Sequence, residues 1–292
     1  MYSNKLYTPL RYPGGKARFA PFIADRMRAN DLAGGHYLEP YAGGAGVALE
    51  LLFDEVVTDV HINDLDPAVF AFWHAAKHHG DTLVDMVQNE PINMDAWRHW
   101  RSVLRGEVDA EPVARGFATL FINRTNHSGI LKGGVIGGLQ QTGVYKLDAR
   151  FKRDALVTRL KRITARSDNI HVYCEDALAL LRRSTSLLPR KSLIYLDPPY
   201  YVKGSGLYRN FYQHEDHQAI ASLLQKRAFS RRWIVSYDNA EEIRAMYAKV
   251  RSVSYGLKYT ANRRYTGDEV MFFDSRLKLD EISYEHGDSS AD

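Results

Sequence analysis

The sequence is poor in several things that would settle a function class at once. It has a single cysteine, Cys174, set between Tyr173 and Glu175 in 292 residues. One thiol builds neither an internal disulfide framework nor a cysteine-ligated metal cluster. Charge of one sign is also not in excess: 39 Lys and Arg against 35 Asp and Glu leave +4, which permits nucleic-acid binding without demanding it. No apolar run reaches membrane-spanning length, and the opening Met1-Tyr2-Ser3-Asn4-Lys5 carries no leader core. His74, His78 and His79 offer helical spacing for a metal pair but no third ligand, so no metal is expected. There is no internal repeat and no low-complexity tract. A soluble, cytoplasmic protein is expected, long enough for one large domain with an insert.

What is present is a series of short β-prone runs, each ending in a distinctive turn. His36-Tyr37-Leu38-Glu39 reads as a strand, and Pro40-Tyr41-Ala42-Gly43-Gly44-Ala45-Gly46 follows as a glycine loop. A helix then begins at Val47. Strand, small-residue loop and helix form the arrangement that lets a backbone approach a nucleotide, although the dinucleotide spacing is absent. A second strand, Val56 to Ile62, ends in Asn63-Asp64, 20 residues after Gly44. An acid there can bind a ribose hydroxyl pair, or serve only as a turn residue. Upstream, Arg11-Tyr12-Pro13-Gly14-Gly15-Lys16 joins two glycines to a lysine but is not a phosphate-binding P-loop.

The most informative turn is Asp197-Pro198-Pro199-Tyr200, which ends the buried run Ser192 to Leu196. Neither proline has an N–H to continue a sheet ladder, so the chain must bend stiffly at the strand's carboxyl end. An acceptor, carbonyls left outside the ladder and an aromatic ring suit a planar base with an exocyclic amine. A solvated strand-ending turn fits the same residues. The strand Ile170 to Cys174 ends in Glu175-Asp176, where Asp176 can accept an adenine amine or cap the helix beginning at Ala177. Tyr201 to Gln213, with Gly204 and Gly206, reads as a mobile loop, and Tyr284 onward as a frayed tail. Further strands are predicted at Trp233–Tyr237, Val250–Tyr255 and Glu269–Phe273.

Between the second and third strands the character changes. Phe70, Phe72, Trp73, Trp97, Trp100 and Phe117 recur at helical spacings among charged residues, predicting a mainly helical insert. It breaks into a polar loop at Asn123-Arg124-Thr125-Asn126, followed by glycines with Gln140 and Gln141 between them. Arg, Asn and Gln on such a loop can read base edges. Arg150, Lys152 and Arg153 then lead into a basic helical stripe suited to phosphates.

In this order, Tyr12-Pro13-Gly14-Gly15-Lys16, Glu39 to Gly46, Asn63-Asp64, Phe121 to Thr125 and Asp197 to Tyr200 resemble the Dam-like DNA adenine-N6 methyltransferases. The resemblance spans about residues 11 to 273. It implies an α/β, Rossmann-like S-adenosylmethionine-dependent sheet made of residues 1–68 and 170–283. A helical target-recognition insert, 69–169, and a tail, 284–292, complete the expected organisation. It implies S-adenosylmethionine held by Tyr12, Lys16, Glu39, Tyr41, Gly43, Gly44, Gly46, Asp64, Asp176 and Asp197. It further implies chemistry at Asp197, Pro198 and Tyr200 on an adenine flipped from double-stranded DNA. DNA contacts are expected from Asn123, Arg124, Asn126, Gln140, Gln141, Arg150, Lys152 and Arg153. An unlinked restriction endonuclease is a conceivable partner of such an enzyme. Tyr12-Pro13 replaces the family's usual Trp-Ala, and Tyr41 its common Phe. Cytosine-N4 methylation uses nearly the same amine chemistry, and a catalytically inactive DNA-binding relative would share the fold. A cytosine-C5 enzyme is set aside because Cys174 does not follow a proline.

Overall fold

The computed structural model describes residues 6–12, 15–202, 212–259 and 265–279, with backbone alone at 256–259 and 265–268. Outside them lie Met1–Lys5, Pro13 and Gly14, Gly204 and Gly206 of the expected mobile loop, and the expected tail.

Among the described residues seven strands form one sheet in the order β3-β2-β1-β4-β5-β7-β6. They are β1 His36–Glu39, β2 Asp59–Asn63, β3 Ile170–Tyr173, β4 Ser192–Leu196, β5 Arg232–Asp238, β6 Arg251–Tyr259 and β7 Tyr265–Phe273. The first five run parallel, while β7 is antiparallel to both β5 and β6. β2 starts three residues later than its apolar run predicts. The Val56 carbonyl instead accepts the Gly34 N–H at 2.7 Å, closing the turn beneath β1.

Ten α-helices are found among the described residues: α1 Ala20–Ala29, α2 Gly46–Phe53, α3 Pro67–His78, α4 Gly80–Asn89, α5 Met94–Arg105, α6 Pro112–Thr125, α7 Arg153–Thr164, α8 Ala177–Leu187, α9 His214–Leu224 and α10 Glu241–Met246. Strand alternation sorts the core into two halves. Tyr37, Leu193, Tyr195, Ile234, Met271 and Phe273 face one cluster with α1 and α2. Leu38, Ile194, Leu196, Val235 and Phe272 face the other, beneath α8, α9 and α10. The first cluster runs without a break into the helical segment through Phe72, Trp73, Trp97, Trp100, Phe117 and Phe121. Trp73 is one of its anchors: the buried indole N–H donates to the Gly43 carbonyl at 2.9 Å. The helical segment is thereby fixed directly to the glycine loop. No helix among the described residues is long and apolar enough to cross a membrane.

Candidate active site

Chain order reverses direction at β1, which lies between β2 and β4. In open α/β sheets that reversal opens a crevice beyond the strands' carboxyl ends, where ligands bind. The loop after β1 and the Pro-Pro turn after β4 both enter this crevice. Its cleft measures about 710 Å³, and its walls include Tyr12, Lys16, Glu39, Asp64, Asp197 and Tyr212. That volume suits a drug-sized ligand.

The glycines of the β1–α2 loop are required by the segment that crosses them. A Cβ on Gly43 would stand 2.7–2.8 Å from the Tyr12 ring, and one on Gly46 would stand 2.7 Å from the Ala17 Cβ. Gly43 also has φ +46°, which side chains resist. Tyr12 is thus laid over the loop at the cleft wall. Asp64 ties the same loop to β2, accepting the Gly43 N–H and the Asp66 N–H at 2.9 Å each. Burial pushes this half-buried carboxyl up to about 6, against the opposing pull of those two N–H groups. Asn63, which carried no expected role, is the staple beneath it. Its amide donates to the Pro40 and Glu175 carbonyls and accepts the Glu175 N–H.

Glu39 lines the cleft and is only 5% exposed. Both of its described donors, the Tyr37 hydroxyl and the Ala48 N–H, reach Oε1 at 3.1 Å. Desolvation raises this carboxyl to about 8. The folded protein therefore keeps a proton that the unfolded chain releases near the ordinary carboxylate value. The resulting stability is present in acid and is lost as pH rises toward 8. Glu39→Gln is expected to flatten that slope. Urea midpoints measured at pH 5 and pH 9 should converge in the variant, and an unchanged slope would remove Glu39 from the account.

At the Pro-Pro turn, Asp197 is held from two sides. Ser236 of β5 donates its hydroxyl to Oδ1 at 2.7 Å, and Lys16 Nζ lies 3.1 Å from both carboxylate oxygens. Lys16, 6% exposed, also donates to the Tyr200 hydroxyl at 2.8 Å and stands 3.7 Å from Glu269 Oε2. Glu269, on β7, accepts the Tyr200 and Tyr255 hydroxyls. Burial raises the Glu269 carboxyl, opposed by Lys16 and reinforced by Asp197. Past the turn, Asp238 accepts the N–H groups of Tyr201 and Val202 and fixes the chain's exit. Neither Ser236, Asp238 nor Glu269 carries a motif, so position on a strand was their only signal.

Several expected site residues are occupied elsewhere. Tyr200 is buried, and its ring lies under Lys16 rather than along the cleft. Pro199, Tyr41 and Tyr212 stand in the wall instead, with the Tyr41 hydroxyl donating to that of Tyr212 at 2.9 Å. Asp176 is the N-cap of α8, accepting the Ala179 N–H, while its neighbours Glu175 and Ala177 line the cleft. Of the two roles open to Asp176, the cap is the one observed.

The residues expected to read bases are partnered within the protein, and Asn123 and Arg124 also line the cleft. Asn123, Arg124 and Asn126 are all buried. Asn123 pairs with both backbone groups of Arg11, and Arg124 donates to the Pro9 carbonyl. Asn126 donates to the Ile130 and Gly133 carbonyls and accepts the Trp97 indole N–H. These bonds hold the Pro9–Arg11 segment and the following loop. Burial lowers the Arg124 guanidinium to about 9, with Arg159 and Arg11 adding to the effect. Arg124→Ala is therefore expected to cost about 2 kcal/mol of stability, read by urea unfolding. A variant of native stability with weakened DNA binding would restore the contact role. Gln141 is pinned within its own loop, and Arg153 donates to the Val87 and Glu90 carbonyls. Gln140, Arg150 and Lys152 remain exposed, the last two at the cleft.

Residues 12–263 match the family described as D12 class N6 adenine-specific DNA methyltransferase. The chain is 22% identical over 207 residues to the Type II methyltransferase M.MjaIII of Methanocaldococcus jannaschii, covering 65% of this chain and 68% of that one. Among solved structures, it resembles the rRNA methyltransferase AviRa of Streptomyces viridochromogenes, with TM-score 0.38, 16% identity and coverage of 90% and 85% of the two chains. It also resembles a precorrin-6y C5,15-methyltransferase of Geobacter metallireducens, with TM-score 0.36, 8% identity and coverage of 94% and 92%. At such scores the topology rests on the strand order alone.

Proposed function

The chain belongs to the D12 class N6 adenine-specific DNA methyltransferases, and from that premise we propose that the cleft between β1 and β4 receives S-adenosylmethionine beside an adenine turned out of duplex DNA. The observation that carries the reading is the convergence of Tyr12, Lys16, Glu39, Asp64 and Asp197 on one crevice at the chain reversal. The donor set fits the cofactor. Glu39 spends its described hydrogen bonds on Oε1, and among the described residues no cation pairs with it, which suits a ligand ammonium group. Asp64, at the end of β2, suits a ribose edge. When bound, S-adenosylmethionine supplies an activated methyl group on a sulfonium.

Asp197 is the base acceptor in this reading. Among the described residues Oδ1 receives Ser236 and Lys16 and Oδ2 receives Lys16 alone, which leaves a lone pair for an N6–H. The Pro198 carbonyl, released from the ladder by the turn, takes the second N6–H. Accepting both hydrogens draws the amine away from conjugation with the ring and toward a nucleophilic geometry. Because Ser236 and Lys16 fix the Asp197 rotamer, this acceptor is preorganised, a property worth orders of magnitude in rate.

Calorimetry with S-adenosylmethionine, followed by digestion of methylated DNA to nucleosides, tests the reading. One cofactor per chain and N6-methyladenine as the product are expected. Absence of binding, or N4-methylcytosine as the product, would overturn it.

A further inference from the structure

The charges gathered behind the Pro-Pro turn do not balance. Among the described residues, the Lys16 ammonium serves two carboxylates, Asp197 at 3.1 Å and Glu269 at 3.7 Å. Only one edge of this group meets the cleft: the Asp197 side chain is 22% exposed, whereas Lys16, Tyr200 and Glu269 are buried. An excess negative charge in such surroundings is costly, and one added proton cancels it.

The hydrogen bonds supply a route for that proton. Lys16 Nζ donates to Asp197 Oδ2 at 3.1 Å and to the Tyr200 hydroxyl at 2.8 Å. Tyr200 in turn donates to Glu269 Oε1. The direct gap from Lys16 Nζ to Glu269 Oε2, 3.7 Å, is too long for a hydrogen bond, so the tyrosine hydroxyl is the link. The far end is closed. The Tyr255 hydroxyl donates to Oε2 at 2.7 Å, and Phe19 packs edge-on against the Tyr255 ring, with centroids 5.2 Å apart. Lys16, Tyr195, Asp197, Tyr200 and Tyr255 are the titratable groups that face Glu269 among the described residues. Burial raises the Glu269 carboxyl, which suits it to hold a proton.

Methylation of an amine leaves a proton to be placed. The adenine N6 attacks the methyl carbon as the carbon–sulfur bond breaks, and the nitrogen then carries two hydrogens, the methyl group and a positive charge. We infer that Glu269 is the terminal acceptor of the proton this nitrogen loses, reached through Asp197, Lys16 and Tyr200. The inference rests on the function proposed above. The proton passes from N6 to Asp197 Oδ2. Lys16 takes it from there while giving one of its own to the Tyr200 oxygen, and Tyr200 passes its hydroxyl proton to Glu269 Oε1. Asp197, Lys16 and Tyr200 end in their starting protonation states, the methylated amine is neutral, and Glu269 alone has changed. The reverse path returns the proton to Asp197 and water once the product has left the cleft. Glu269 thus acts on the adenine only through its neighbours.

Single-turnover methylation of duplex DNA by the full chain, with circular dichroism as the fold control, reads the relay. Glu269→Gln keeps the shape but accepts no proton, and its rate should fall about 10²-fold. Tyr200→Phe keeps the ring but breaks the chain in the middle, and a similar loss is expected. Glu269→Asp is a poorer fit than Gln but remains a base, so it should stay within about tenfold of wild type. A purely structural Glu269 would rank the variants by stability, whereas a proton acceptor ranks them by basicity. Glu269 must also be ionised to work, so the acid limb of the rate should lie at higher pH in wild type than in Glu269→Gln. Without any ligand, infrared difference spectra of wild type minus Glu269→Gln should show a carboxyl that takes up its proton above the ordinary carboxylate range. Wild-type rates in Glu269→Gln and Tyr200→Phe overturn the relay, as does Gln outperforming Asp, an unmoved acid limb or absence of that carboxyl. If the wild-type protein forms no N6-methyladenine, the proposed function itself fails; an active wild type with unaffected variants sinks the relay alone.

Discussion

Asp197→Ala should reduce single-turnover methyl transfer by about 10³-fold or more while leaving the fold intact. The rate is lost because the alanine removes the acceptor that reorganises the adenine amine. The fold survives because the groups around Asp197 keep other partners. Lys16 retains Tyr200 and Glu269, and Ser236 retains contact with Tyr195 at 2.9 Å. Asp197→Asn separates charge from shape. Its carbonyl still accepts one hydrogen bond, but its NH₂ then faces either Lys16, which has no acceptor, or Ser236, which must turn its hydroxyl to accept. A loss of about 10²-fold is expected for that variant, and about tenfold for Ser236→Ala, which only loosens the rotamer. Rapid-quench methylation assays, with circular dichroism as the fold control, read all three. A folded Asp197→Ala protein turning over like wild type would remove the turn from the chemistry.

How much of this was legible in the sequence depends on the range over which each feature is encoded. β1 and β4 have their predicted bounds, because an apolar β-prone run closed by a proline turn is a local signal. The glycine loop was equally plain. Its steric reason was not, since the neighbour that needs the space is Tyr12, from a segment about 30 residues earlier. The strand order and the antiparallel β7 arise from long-range pairing that no window of sequence contains. Glu269 therefore looked like one more strand residue, although β7 delivers it to Lys16. The internal partners of Asn123, Arg124 and Asn126 were hidden for the opposite reason. A polar run at a helix end reads as solvated, but the Pro9–Arg11 segment lies across it and takes up its donors and acceptors. Tyr200 was assigned to stacking from its place beside the turn, and its burial depends on partners that lie far away in sequence.

Lys16 is expected to be nearly as costly to lose as Asp197, and in a more revealing way. Its ammonium stands between two carboxylates, one half-exposed at the cleft and one 1% exposed within the fold. Lys16→Met fits the space but leaves Glu269 buried with only tyrosine hydroxyls to offset its charge. Breaking a buried pair in this way costs about 3 kcal/mol, and the turn that Lys16 braces should lose about 10²-fold in kcat. The two losses have separate causes, so a second substitution should divide them. Lys16→Met/Glu269→Gln removes the stranded charge and is expected to recover most of the stability, while kcat stays low because Asp197 still lacks its brace. The pH dependence carries a definite sign. Burial already holds the Glu269 carboxyl above its ordinary value, and Lys16 is the main opposing influence. Without the lysine that carboxyl rises further, so stability present in acid is lost over a wider span as pH increases. Lys16→Met should therefore fall furthest below wild type at pH 8 and least at pH 5, and the double variant should show little of this widening. Equal destabilisation at both pH values, or a double variant no more stable than the single one, would mean that Lys16 and Glu269 do not act as a pair.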